Sequence, residues 1–413
     1  MKLLITIFVP IFLFAQSYSL KNFIEHSIKT NGNIKAKILL IQAKSKEVES
    51  AQSAYWPTLD IGGDVSLHNP KYLVSPSKVT SIQAQLNYEL YDGGKKDALL
   101  QAKRYEHKVS LFEQEAFKKS ITLQIIQAYY DIKKLKSNLK ALQERAKELK
   151  AQIIRIKKFK NTGLATQEDI DKLQAVYDNN AYSIANTKLA ITQSQENLKL
   201  ISGLSAQHLK NNYLKEPKNI QFEYSEQIKI MQSNANAIAM NAKAIDANYM
   251  PQVNLSDTYY KSHYDDMVSM PGSDAFLMDH QNTVSLSVKM RLFDNGNIHK
   301  QSQSLKYQKL AILSQLQQAK KEQKMKFILA KTNLKTLKIK LKSAKSALKA
   351  ATNTYSVIRH KFEVGLVDNI TFLDALTQKI FSEARYKASI YDYEIAKSLY
   401  YYYAGKNPKE FIK

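Results

Sequence analysis

The sequence predicts a mixed α+β protein in which long antiparallel coiled-coil helices alternate with two β-hairpins. Three observations carry this. Apolar residues step by three and four over many heptads. Two shorter regions alternate apolar and polar at every second position. One strand-to-helix corner occurs twice, as Leu90-Tyr91-Asp92-Gly93-Gly94 and as Leu292-Phe293-Asp294-Asn295-Gly296, 202 residues apart.

The chain has 413 residues, 44% of them hydrophobic, enough for one large or two ordinary domains. Residues 1–17 read as a signal peptide: Lys2 gives the positive start, Leu3 to Ala15 the apolar core, and Ala15-Gln16-Ser17 a small-x-small cleavage pattern. That core is too short for a spanning helix, and no run of about 18 apolar residues follows. A chain of this kind can cross a bilayer only as a closed β-barrel. There is no Cys, which excludes disulfides, a thiolate metal site, a Cys nucleophile and a lipidated cysteine anchor.

The net charge of +24 raises nucleic acid as a partner, but the basic residues argue against it. Only six of the 61 are Arg, the residue suited to bidentate phosphate and base contacts, and the Lys are spread along helices. Solvated helix faces account for the charge, and an export signal points away from nucleic acid.

The 202-residue offset of the corner continues downstream. Ile132, Leu135, Leu139, Leu142, Ala146, Leu149, Ile153 and Ile156 map onto Leu334, Leu337, Leu341, Ala344, Leu348, Ala351, Tyr355 and Ile358. Gly163-Leu164 maps onto Gly365-Leu366. Upstream, Tyr55-Trp56-Pro57 matches Tyr249-Met250-Pro251 at an offset of 194, so the second copy carries eight extra residues in between. The expected organisation is a first repeat over 20–205, a linker over 206–224, a second repeat over 225–403 and a tail over 404–413.

In the first copy, Lys95 to Lys160 contains neither Gly nor Pro and predicts a helix of roughly 100 Å. Such a rod must pack lengthwise on others, and 166–201, 298–362 and 368–403 supply them. Shorter helices are expected over 20–54 and 225–248. Between Pro57 and Asp92 the period falls to two. Leu59, Ile61, Val65 and Leu67 alternate with polar residues, as do Ile82, Ala84, Leu86, Tyr88 and Leu90. The second copy repeats the pattern with Val253, Leu255 and Tyr259, then with Val284, Leu286, Val288, Met290 and Leu292. Each strand has about the ten residues that a tilted strand needs to cross a bilayer. Pro57 and Pro251 mark the helix-to-strand corners. Asp92, Gly93 and Gly94, like Asp294, Asn295 and Gly296, give each strand-to-helix corner its turn and its helix cap. Four strands cannot close a barrel, and open edges are forbidden in lipid, so a membrane wall of this kind requires several copies: a dimer gives eight strands, a trimer twelve.

The doubled Tyr-x-Pro helix exit, the doubled Leu-aromatic-Asp-(Gly/Asn)-Gly corner and the Gly-Leu helical turns, in this order over about residues 20–403, resemble the TolC-like outer-membrane efflux protein family. The resemblance implies a homotrimer: a twelve-stranded β-barrel in outer-membrane lipid, continuous with an α-barrel in the periplasm. It implies a conduit of a tripartite efflux or type I secretion system, working with an inner-membrane pump and a periplasmic adaptor, without cofactor or catalytic residues. It also implies that the turns at Gly163-Leu164 and Gly365-Leu366 are tips where the adaptor docks, and that Asp374 belongs to a periplasmic gate. Where the family pattern has a second Asp three residues earlier, this chain has Thr371.

Read from the residues alone, Thr166 and Asp368 can cap the helices after the two tips. No nucleotide, hydrolase or zinc motif occurs. His263, Asp265, Asp266, Asp279 and His280 cluster around one loop without metal-ligand spacing, and no metal site is expected there. Tyr400 to Tyr403 follow a helical pattern and are expected to pack the last helix. The rival reading is a soluble periplasmic coiled-coil scaffold or adaptor, which shares the heptads and has no use for ten-residue alternating hairpins. The cargo (small toxic molecules, metal ions or secreted proteins) stays open.

Overall fold

A computed structural model describes residues 17–413 apart from 71–75, 164, 219 and 266–276. The predicted signal peptide, save Ser17, the tip residue Leu164 and most of the eight-residue insertion thus lie outside the described residues. In chain order the elements are α1 (Leu20–Thr30), α2 (Gly32–Ser53), β1 (Thr58–Leu67), β2 (Lys78–Tyr91), α3 (Lys95–Asn161), α4 (Gln167–Ser202), α5 (Glu226–Asp246), β3 (Gln252–Asp265), β4 (His280–Lys289), α6 (Asn297–Glu363) and α7 (Asn369–Tyr403). A mixed α+β fold with long helices and two hairpins is what the periodicities predicted.

Helices α3 and α6 each run 67 residues, about 100 Å, between a positive-φ glycine at either end. One helix expected over 20–54 is instead two. Asn31 is extended, at φ −63° and ψ 123°. Its side-chain amide donates to the Ile201 carbonyl at 3.0 Å, and its side-chain oxygen accepts from the Asn33 N–H at 3.0 Å. A contact 170 residues away thus ends one helix and starts the next.

The chain divides into two compact units. The first comprises Met1–Lys37, Gln114–Glu226 and Ala319–Lys413. Its core gathers Leu20, Phe23 and Ile24 of α1, Ile121 to Ile132 of α3, Leu198 of α4 and Tyr401 of α7. The 206–224 linker lies against this core and is fastened by tyrosine hydroxyls. Tyr129 donates to the Lys210 carbonyl, Tyr130 to that of Asn212 at 2.9 Å, and Tyr401 to that of Lys215 at 2.9 Å. Fully burying such rings is worth on the order of 2–3 kcal/mol each, provided the hydroxyl finds an acceptor. Burial raises the Tyr401 hydroxyl to about 12 and those of Tyr129 and Tyr130 further. A buried Glu394–Lys397 ion pair at 2.6 Å closes on the same strand of linker: Glu394 accepts from the Leu214 N–H at 2.6 Å and Lys397 donates to the Leu214 carbonyl at 2.8 Å. These backbone bonds offset part of the cost of burying the pair, and burial still raises the Glu394 carboxyl above the usual carboxylate range. Tyr400 and Tyr401 are buried, as expected for residues packing the last helix.

The second unit comprises Ile38–Glu113 and Gln227–Gln318. It holds one antiparallel sheet in the order β1-β2-β3-β4, so the two hairpins join through a β2–β3 ladder. Beside it, α2 and α3 are laced by a square of ion pairs, Lys44 and Lys103 to Glu47 and Glu106, at 2.8–3.2 Å. The two hairpins have the same register. Thr58↔Asn87 through Leu67↔Lys78 in the first becomes Gln252↔Lys289 through Lys261↔His280 in the second, at the sequence offsets of 194 and 202. Among the described residues no helix is long and apolar enough to cross a membrane.

Candidate functional site: sheet faces, corners and tips

Directly paired residues share a face, so the ladders sort the sheet. Leu59, Ile61 and Val65 of β1 stand with Ile82, Ala84 and Leu86 of β2, Leu255 and Tyr259 of β3, and Val284, Leu286 and Val288 of β4. Most of these side chains are exposed. The opposite face carries Asp60, Asp64, Ser81, Gln83, Gln85, Glu89, Asn254, Ser256, Ser287 and Lys289. One face is therefore apolar and the other polar, as the alternation predicted. Asp257 is an exception that the sequence pattern hid. Paired with Leu86 on one side and Val284 on the other, it sits on the apolar face, and its Oδ1 is buried without a hydrogen-bond partner.

Both predicted strand-to-helix corners form. Asp92 is 5% exposed, and its carboxylate accepts from the N–H groups of Gly94, Lys95 and Lys96, the orphan donors at the start of α3. Asp294 accepts from Gly296 at 2.9 Å and Ile298 at 2.8 Å, and from the Tyr249 hydroxyl at 3.1 Å. The Ile298 N–H and these other donors hold the Asp294 carboxyl below the usual carboxylate range. At the helix-to-strand corners, the residue before each proline closes a matching turn: Trp56 N–H to the Ser53 carbonyl and Met250 N–H to the Ala247 carbonyl, both at 3.0 Å. Pro57 and Pro251 then stand one residue before β1 and β3.

The two helical turns also have related geometry. Gly163 is at φ +76° and Gly365 at φ +77°, both left-handed. At the second turn, Gly365 N–H bonds the Phe362 carbonyl and Leu366 N–H the Lys361 carbonyl, at 3.1 and 2.8 Å, a Schellman closure. Thr166 caps α4 in a capping box with Asp169, and Asp368 caps α7 by accepting from the Thr371 N–H at 2.9 Å. The caps are those predicted, and Thr371 is the residue that donates to the Asp368 cap. The second turn exposes an apolar surface, Val364, Leu366 and Ile370, with Leu366 74% exposed. Asp374 lies exposed on the second turn of α7.

Sequence reasoning missed a stack near this turn. The Arg155 guanidinium of α3 lies 4.4 Å over the Phe362 ring of α6, which stacks at 4.6 Å on Phe372 of α7. Only the coincidence of an Arg and aromatics near three helix ends hinted at it.

Among the described residues no cluster of three His, Asp or Glu could hold a metal ion. His263 contacts Asp265 at 3.3 Å and His280 contacts Asp279 at 2.7 Å, while Asp266 lies outside the described residues. A cleft of about 450 Å³ in the first unit is lined by Asp131, Lys134, Leu337 and Asp392. Both of its carboxylates are ion-paired: Asp392 with Lys340 at 2.9 Å and Lys134 at 3.3 Å, and Asp131 with Lys134 at 2.9 Å.

Residues 23–204 match the model of the outer membrane efflux protein family. No curated protein matches the chain by sequence. The fold is similar to those of solved outer-membrane proteins over 94% of this chain. The outer membrane protein VceC from Vibrio cholerae is 14% identical, with 96% of its chain covered and a TM-score of 0.78. The CmeC outer membrane channel of Campylobacter jejuni is 14% identical, with 85% covered and a TM-score of 0.80. The open MtrE outer membrane channel of Neisseria gonorrhoeae is 14% identical, with 89% covered and a TM-score of 0.74.

Proposed function

We propose that this chain, an outer membrane efflux protein by its fold and by the family pattern of residues 23–204, is the outer-membrane channel of a tripartite efflux or type I secretion system. One observation carries the reading. The sheet is a wall with an apolar exposed face and a polar face, and its edge strands β1 and β4 have no strand beside them among the described residues. Such a wall is stable in lipid only when further copies close it, with apolar side chains to the lipid and polar ones to the water inside. The helices then lie in the periplasm, and cargo crosses the outer membrane through the closed tube. The protein transports; it is not an enzyme.

Three copies of four strands give a twelve-stranded barrel. The family pattern and the exposed apolar turn support docking of a periplasmic adaptor at Gly163, Leu164, Gly365 and Leu366, with an inner-membrane pump behind it. Asp374 supplies one carboxylate per chain toward a threefold gate. The tandem division at residues 205 and 225 supports a ring of six quasi-equivalent units.

The test is to purify the protein from outer membranes in detergent, measure its mass and record it in a planar bilayer. A trimer with discrete conductance is expected. A water-soluble monomer without conductance overturns the reading in favour of a soluble scaffold. Replacing Gly365 and Leu366 together by Glu is expected to abolish export, scored as resistance or secretion, while the assembled mass stays unchanged. Unaltered export would remove the tips from docking. Asp374→Asn is expected to raise single-channel conductance; identical traces would leave Asp374 outside the gate.

A further inference from the structure

The edge strands carry the instructions for their own pairing. Both hairpins have one register at the offsets 194 and 202, so the β2–β3 ladder that joins them is a template for the missing ladder between β4 and β1. Carrying β2 forward by 202 and β3 back by 194 turns Glu89↔Asn254 into Arg291↔Asp60 and Tyr88↔Leu255 into Met290↔Ile61. Resting on the conduit reading above, we infer that β4 of one chain pairs antiparallel with β1 of a second copy in this register, with Arg291 beside Asp60 of the partner subunit.

Three observations support it. First, parity is right: Met290, Val288 and Leu286 meet Ile61, Gly63 and Val65, apolar face to apolar face, whereas a one-residue slip would invert every side chain. Second, the strands stop where a neighbour is missing. β2 runs to Tyr91, and its last residue is held by β3; the equivalent β4 ends at Lys289, four residues short of Phe293. There Leu292 and Phe293 are 83% and 80% exposed. Third, the edges are oppositely charged on the polar face. β1 carries Asp60 and Asp64, while β4 ends on Lys289 and Arg291 follows two residues later. The side chains of Asp60 and Arg291 are exposed and, among the described residues, take no hydrogen bond or ion pair within the chain.

The template register puts Arg291 opposite Asp60, and Lys289 opposite Gly62, diagonal to Asp60 and Asp64 and with no side chain in its way. The internal ladder has the uncharged Asn254 where the edge has Asp60. The charges also disfavour a symmetric β1 pairing: an antiparallel β1–β1 ladder centred on Gly62 sets Asp60 against Asp64, and like charges opposite one another destabilise a ladder. A head-to-tail contact that closes makes a ring.

Because the chain has no Cys, two introduced cysteines report on one contact. Facing Cα atoms of an antiparallel pair are about 4.5–5.5 Å apart, within disulfide reach, and a two-residue slip adds about 6.8 Å. The full-length protein would be made with Asp60→Cys plus Arg291→Cys, and separately with Ile61→Cys plus Met290→Cys, then oxidised in outer membranes. Both are expected to give covalent oligomers on non-reducing gels. The slipped pair Ile61→Cys plus Val288→Cys is expected to stay monomeric. Asp60→Arg or Arg291→Asp alone is expected to reduce detergent-resistant oligomer, and the two together to restore it. Cross-linking of the slipped pair in place of the templated ones, or of Asp60→Cys alone, overturns the register while the conductance of the wild-type protein keeps the conduit reading standing. A wild-type monomer without conductance overturns both.

Discussion

The same corner is built twice, once packed and once bare. At the first, Gly93 has φ +73°, and a Cβ there would lie 2.4 Å from the Met250 Cβ and 2.8 Å from the Ala247 carbonyl oxygen. The helix-to-strand corner of the second repeat fills the space beside it. At the second, Asn295 occupies the same position at φ 55°, exposed, and Gly296 meets nothing closer than 4.0 Å. Glycine is obligatory where another backbone approaches and dispensable where the neighbour lies outside the chain. The copy is therefore not exact: the β ladder between chains can follow the internal one, but the contact at the corner must be wider, because Asn295 carries a Cβ. Repetition of sequence fixes direction and register; the fit of each seam is set separately.

The largest effect that can break this comparison is Gly93→Val. A forced positive φ and a backbone clash together should cost about 3 kcal/mol or more, lowering thermal stability in detergent and the yield of assembled protein. Asn295→Val should cost about 1–2 kcal/mol, since only the φ is unfavourable. Equal losses at the two positions would mean that the second corner is as tightly packed as the first. Next is Asp92→Ala, which leaves three N–H groups of α3 without an acceptor near a buried site and should cost about 2 kcal/mol in denaturant unfolding. Asp294→Ala should cost less, because its site is open to water. Asp257→Val should run the other way. It removes an unpaired carboxylate oxygen from the apolar face, where the first repeat has Gly63, and should stabilise by about 1–2 kcal/mol in calorimetry. A loss of stability there would show that Asp257 has a partner in the assembled protein.

The smallest effect is in pH. The folded Asp294 pKa is depressed, as are those of the tip caps Asp169 and Asp368, where the Thr166 hydroxyl and the Thr371 side chain are the leading donors. For a depressed carboxyl the unfolded state binds the proton more readily. The stabilisation is complete above the unfolded value near pH 4 and is lost as pH falls through the lower folded values. Melting temperature should hold from pH 7 to about 5 and decline below about 4, and Asp294→Asn should flatten part of that decline. A profile unchanged by the substitution would remove Asp294 from the linkage.

Much of this was legible in the sequence for local reasons. The limits of α3 and α6 follow from the absence of Gly and Pro between Gly94 and Gly163 and between Gly296 and Gly365. The sheet faces follow from a period of two, and the caps at Thr166 and Asp368 from residue type and position. Other features depended on distant partners. Asn31 breaks a helical pattern because its amide reaches the Ile201 carbonyl. The linker has no periodicity of its own and is held by the hydroxyls of Tyr129, Tyr130 and Tyr401 on its carbonyls. Asp257 looked like an ordinary polar interruption until the ladder placed it between Leu86 and Val284. Arg155 and Phe362 are more than 200 residues apart and meet only through helix packing.

By itself the sequence determined the helices, the strands, their two-sidedness and the duplication, because each is a short-range consequence of period, caps and forbidden residues. Only the tertiary structure decided that β2 pairs with β3, that both hairpins keep one register, and that one glycine corner is packed while its copy is open. Those depend on which backbones approach one another, and a close approach is a property of pairs of segments, which no single stretch of chain encodes.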